Sequence, residues 1–199
     1  MSSDWKDSKH FMIDLETLGV ESTSVVLSVG IIQFSPDEVP NWTDFLYRSM
    51  FVKFSVANQL NNHHRSMDVD TCKWWGKQSD IVKAKSFKPG IYDLEASHGL
   101  DVIRGYCHLD KDSAKNDDVT FWARGNLDQS CLSSLSKAVC GDELIPYGNW
   151  LDVRTALALT KETCVKGYCD VPGFDRGKVH KHDPVQDCAL DLMQLLGGK

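Results

Sequence analysis

Phe11-Met12-Ile13-Asp14-Leu15-Glu16 is an apolar run broken by two acids at alternate positions. Such a run reads as a strand, and residues two apart in a strand project from one face. Asp14 and Glu16 therefore share a face. Two carboxylates set among Phe11, Met12, Ile13 and Leu15 are costly unless paired or bound to metal. Outward from this run, Gly19 offers a turn. Ser24 to Phe34 is rich in β-branched residues and reads as a buried strand, closed by the turn residues Pro36 and Asp37. Alternation from Phe45 to Phe54 predicts a third strand, so the chain opens as an antiparallel meander.

The middle is more helical. Asp70 to Ser79 carries Trp74 and Trp75 on a short helix. Ile91 to Leu109 has helical spacing through Leu94, Leu100, Ile103 and Tyr106, weakened by Gly99. Lys111 to Asp118 is a charged loop, Val119 to Ala123 a short strand ended by Gly125-Asn126, and Asp128 opens a helix with Leu132 and Leu135 on one face. Asp152 to Leu159 reads as a helix and Cys164 to Lys181 as an irregular loop. The last helix, Asp183 to Leu196, is the best marked. Asp183 suits its N-cap, Pro184 its first position, and Val185, Cys188, Ala189, Leu192, Met193 and Leu196 form an apolar stripe. Strands first, then strands and helices mixed, predict an α/β fold with a mixed central sheet flanked by helices.

A length of 199 residues suits a single domain with a full core, residues 1–9 being flexible. With 42% apolar and 25% charged residues, disordered and fibrous classes are excluded. No apolar run is long enough for a transmembrane helix, and Met1 to His10 lacks the core of a signal peptide. A cytoplasmic protein with no membrane partner is expected; nothing in the sequence fixes its oligomeric state. The seven cysteines are odd in number, irregular in spacing and without a Cys-x-x-Cys, which predicts reduced thiols rather than a zinc site. A net charge of −6 argues against a broad basic surface that coats nucleic acid. It leaves open an enzyme that grips a strand end, because carboxylates gathered for metal ions add negative charge of their own.

Taken singly, the acids are weak signals. Asp14 and Glu16 at a strand edge are often merely solvated, and Asp128 suits a helix-capping role. His182 and Asp187, five apart across the start of the last helix, recur by chance. Asp191, one helical turn beyond Asp187, is expected to be a supporting or solvated residue. Together they carry more. Hard carboxylate oxygens suit Mg²⁺ alongside a substrate phosphate, and an imidazole has the right pKa to take a proton from water.

In order and spacing, Asp14-x-Glu16, Asp128 and His182-x-x-x-x-Asp187 resemble the pattern of the DEDDh 3′→5′ exonucleases. The likeness is greatest to the T-even phage exonucleases of the DexA type and the exodeoxyribonuclease VIII-like group. It rests on Phe11 to Gly19, Trp74-Trp75-Gly76-Lys77-Gln78-Ser79, Trp122 to Asp128, Asp152-Val153-Arg154-Thr155 and His182 to Ala189. Leu127 departs from it, standing where that group usually has an aromatic. The resemblance implies a ribonuclease-H-like fold and hydrolysis of terminal phosphodiesters at a free 3′ end. It implies two Mg²⁺ ions, replaceable by Mn²⁺, on Asp14, Glu16, Asp128 and Asp187, with His182 as general base. Leu15, Thr17 and Trp75 would contact substrate, although paired tryptophans more often anchor a helix; the same alternatives hold for Trp74. Arg154 is expected to pair with Asp152 rather than with a phosphate. DNA is favoured as substrate, with an exoribonuclease and a non-cutting nucleic-acid-binding module as alternatives.

Overall fold

A computed structural model describes residues 5–161 and 169–197. In chain order its elements are β1 (His10–Thr17), β2 (Val26–Phe34), α1 (Trp42–Arg48), β3 (Met50–Lys53), α2 (Val56–His63), α3 (Val69–Gly76) and α4 (Asp80–Val82), which runs into a π-helical turn at Lys83–Phe87. They continue with α5 (Ala96–Tyr106), β4 (Thr120–Ala123), α6 (Leu127–Cys140), β5 (Trp150–Asp152), α7 (Val153–Lys161) and α8 (Pro184–Leu196). The sheet order is β3-β2-β1-β4-β5. β1 and β2 pair antiparallel, as do β2 and β3, whereas β4 runs parallel to β1 and β5 parallel to β4. The fold is the mixed sheet covered by helices that the sequence predicts.

Alternation along β1 sorts its side chains between two cores. Phe11, Ile13 and Leu15 join Leu100, Ile103, Cys131, Leu132 and Leu135 beneath α5 and α6. Met12, on the opposite face, joins Ile32, Phe34, Cys188, Ala189 and Leu192 beneath α8. Asp14 and Glu16 continue the Met12 face toward the end of the strand. Gly30 sits opposite Asp14 in the β1–β2 register. A Cβ there would lie 2.5 Å from the Pro184 carbonyl carbon, so the missing side chain lets the N-terminus of α8 rest directly on the sheet.

Several boundaries differ from expectation. The predicted third strand is divided: Asn41 accepts the Thr43 and Asp44 N–H groups and starts α1, and only Met50–Lys53 pairs with β2. The helix predicted from Ile91 begins at Ala96, with Ile91 and Tyr92 exposed in a turn before it. Gly99 is where α5 meets β3's end, since a Cβ would come within 2.2 Å of the Phe54 ring. α2 and β5 were not predicted. Residues 5–9, expected to be flexible, are tied down: Trp5–Asp7 forms a 3-10 turn, and Gln33 Nε2 donates to the Lys6 and Ser8 carbonyls. Residues 1–4 and part of the Cys164 to Lys181 loop lie outside the described residues. Among the described residues five cysteines are free thiols as expected, but Cys169 is disulfide-bonded. It sits in irregular chain before α8, where a covalent tie restrains what no ladder holds. No helix among the described residues is long and apolar enough to cross a membrane.

Candidate active site

Three elements deliver the acids to one place. Asp14 and Glu16 come from the second half of β1 and Asp187 from the first turn of α8. Asp128 comes from the first turn of α6. β4 pairs with β1 only as far as Met12, and beyond it the Leu15 N–H donates to Asp128 Oδ1 at 3.1 Å. Asp128 therefore ties α6 to β1 rather than capping its own helix; Asn126 occupies the N-cap.

The approach to α8 is tightly built. Asp183 caps the helix by accepting from Val185 and Gln186 N–H, and Lys85 Nζ clamps its two oxygens at 2.5 and 2.6 Å. His182, just before it, has φ +66°, a left-handed conformation unusual for a side-chain-bearing residue. Its N–H donates to Asp187 Oδ2 at 2.8 Å, which holds the strained turn. His182 Nδ1 then lies 3.7 Å from Glu16 Oε1. Glu16, His182 and Asp187 each offer a ligand atom, all within 4.8 Å of one another. Asp187 Oδ1 is buried and, among the described residues, accepts no hydrogen bond.

Burial and mutual repulsion raise the carboxylate pKa values. Asp14 is pushed well above the usual range by withdrawal from water and then by Asp128, Asp187, Glu16 and Asp191. Glu16 is raised by burial, then by Asp187, Asp128 and Asp183. Asp128 and Asp187 rise to about 7, chiefly through burial, opposed by the N–H groups of Leu15 and His182 respectively. His182 is shifted the other way, by burial and then by Lys181. Burial thus disfavours the charged form of both His182 and Glu16 where they meet. Such crowding of acids with an unsatisfied buried oxygen fits a divalent cation, whose charge would reverse the shifts.

Other expectations need correction. Trp75 is fully buried: its Nε1–H donates to the Thr17 carbonyl at 3.0 Å and its ring stacks on Phe87. Packed as a helix anchor is, it forms the inner wall of the cleft that Trp74 borders rather than an exposed stacking face. Trp74 is 40% exposed and meets the His182 ring edge-on at 4.7 Å. It walls a cleft of about 420 Å³ with Leu15, Glu16, Thr17, Asp70 and Leu127. Leu15 and Thr17 thus border the cleft, the Thr17 hydroxyl donating to the Gly19 carbonyl. Asp191, expected to be supporting or solvated, is buried and chelated by Arg124 at 2.6 to 3.2 Å. The expected Arg154–Asp152 ion pair is absent among the described residues, because Asp152 instead accepts from the Gly125, Arg154 and Thr155 N–H groups and the Thr155 hydroxyl. Gly30, Lys85 and Arg124 carry positioning roles that sequence reasoning missed. For Gly30 a signal existed, a glycine inside a β-branched strand.

The family model described as the 3′-5′ exoribonuclease Rv2179c-like domain matches residues 9–192. The chain belongs to this family. It is a 3′→5′ exonuclease, which acts on nucleic acid. Over 205 aligned residues this family member is 26% identical to the exodeoxyribonuclease of Enterobacteria phage T4, covering 93% of the chain and 86% of the relative. Its fold matches Pop2p of S. pombe, solved in a form with Mg²⁺ and Mn²⁺ bound, at a TM-score of 0.60 and 13% identity. That match covers 96% of the chain and 82% of Pop2p, and makes the fold ribonuclease-H-like.

Proposed function

We propose that this exonuclease removes 5′-mononucleotides from the 3′ end of DNA. Asp14, Glu16, Asp128 and Asp187 would hold two divalent cations, Mg²⁺ or Mn²⁺, with His182 as general base. The observation that carries this reading is the convergence of β1, α6 and α8 on one acidic pocket with an unsatisfied Asp187 oxygen and His182 beside it. Cations held by these residues would supply positive charge to the scissile phosphate and acidify the attacking water.

The chain's own residues do the rest. Burial lowers the His182 pKa, which favours the neutral imidazole, and the half-buried ring can then accept the water's proton. Its rigid turn, held through Asp187 Oδ2, fixes where that proton goes. Trp74 offers the exposed aromatic face for the terminal base, a mode that tolerates any sequence. Leu15, Thr17 and Leu127 form the floor beside it.

DNA is preferred because the aligned phage relative, an exodeoxyribonuclease, spans nearly the whole chain. RNA is the second reading, favoured by the family description. Digestion of matched single-stranded DNA and RNA, labelled at the 5′ end, tests both. The expected result is a ladder shortening from the 3′ end, dependent on Mg²⁺ or Mn²⁺ and faster on DNA. Faster digestion of RNA would transfer the assignment to the second reading. No shortening of either polymer would sink the proposed mechanism.

A further inference from the structure

β1, β4 and β5 run parallel, so their carboxyl ends lie along one edge of the sheet. The chain uses that edge three times. Asp14 and Glu16 lie in the last part of β1, Asp128 follows β4, and Arg154 follows β5 in the first turn of α7. Ala123 is the register partner of Asp152, which brings the chain leading to Asp128 alongside Arg154. The Arg154 guanidinium rests over Gly125: a Cβ built there would lie 3.4 Å from Nη1 and 3.5 Å from Cζ. Gly125 has φ +88° and no side chain, and it borders a shallow groove of about 310 Å³ with Asn126, Gln129 and Trp150.

Two cations stand at this edge, and they are used differently. Arg124 is buried against Asp191 and Gln194. Arg154 is exposed, and its natural partner Asp152 is filled by four donors from Gly125, Arg154 and Thr155. Both Asp128 and Asp191 feel the Arg154 charge, which places the guanidinium within electrostatic reach of the acidic pocket. A guanidinium is a rigid five-donor fork matched to phosphate oxygens.

We propose that Arg154 binds a backbone phosphate of the substrate strand adjacent to the scissile bond. The inference rests on the exonuclease mechanism above. It makes Arg154 a strand-binding residue that takes no part in bond cleavage.

The test compares wild type, Arg154→Gln and Arg154→Lys in Mg²⁺ on two substrates. One is a single-stranded oligonucleotide; the other is a p-nitrophenyl ester of thymidine 5′-monophosphate, which has no neighbouring phosphate. For Arg154→Gln the expected rise in KM on the oligonucleotide is about tenfold. The kcat should stay within about twofold and ester turnover should not change. The salt dependence of log kcat/KM should become shallower by about 0.7, the step expected when one phosphate of a single strand is no longer neutralised. Arg154→Lys should recover part of the KM and most of the slope. Unchanged KM and slope in Arg154→Gln, with wild type active, would overturn the Arg154 assignment alone. An equal loss on the ester would overturn it too, by moving the residue to the cleaved phosphate. Wild type inactive on both substrates would bring down the exonuclease mechanism and this inference with it. Melting temperatures matching wild type confirm that the exposed substitutions leave the fold intact.

Discussion

At Asp187 one carboxylate oxygen takes the His182 N–H while the other is buried without a donor among the described residues. An oxygen in that state costs stability unless something positive reaches it. Replacing Asp187 or Asp14 by alanine should therefore abolish metal-dependent nucleotide release in a protein that still melts cooperatively. Turnover near wild type in either variant would contradict the assignment. His182→Ala should lower kcat by about 10²- to 10⁴-fold, the usual range for a lost general base, with metal affinity little changed in calorimetric titration. The acids and the histidine were legible in the sequence because their order and spacing are distinctive. The division of labour in the tryptophan pair was not, since two adjacent aromatics on a helix give no sign of which one faces inward. Trp75→Ala should cost about 3–5 kcal/mol of stability, as for any large buried aromatic. Trp74→Ala should leave the melting temperature unchanged and raise KM. For Asp191 the sequence left a supporting and a solvated reading open for a related reason: its partner Arg124 lies 67 residues away.

Among the elements, α8 was read almost to the residue, because Asp183, Pro184 and the apolar stripe mark start, first turn and buried face independently. α1 was read as strand because its seven residues show little more than one buried side chain, Phe45, too few to display a helical period. β5 has three residues and no alternation to detect. What aligns α8 with β1 is a point of contact that no single segment shows, Gly30 against Pro184. Gly30→Ala would push the new methyl into the Pro184 backbone. The helix must then shift, costing about 1–3 kcal/mol as other overpacked sites do. Because Asp187 moves with it, nucleotide release should fall more steeply than stability. A variant with lowered melting temperature but wild-type kcat would show that α8 tolerates displacement.

Over the whole molecule, the formal charge of −6 looked uninformative, yet several of the acids counted in it are gathered in one pocket where burial and mutual repulsion raise their pKa values. Asp128 and Asp187 titrate near 7 when folded, against 3.8 as free side chains. Between those values the folded chain holds protons that the unfolded chain has released. Stability therefore falls as pH rises through about 7 in the metal-free protein. Divalent cations compete with those protons. Saturating Mg²⁺ or Mn²⁺ should thus raise the melting temperature by about 5–10 °C at pH 8 and much less at pH 5.5. A thermal shift of equal size at both values would place the binding elsewhere. The claim on which all of this depends is that the acids of β1, α6 and α8 share cations, and crystals soaked in Mn²⁺ test it without reference to activity. Anomalous scattering should show two Mn²⁺ peaks at roughly 2.0–2.3 Å from oxygens of Asp14, Glu16, Asp128 and Asp187, distances typical of hard-cation ligands. A map with full Mn²⁺ occupancy on the protein surface and none between these four side chains would contradict it.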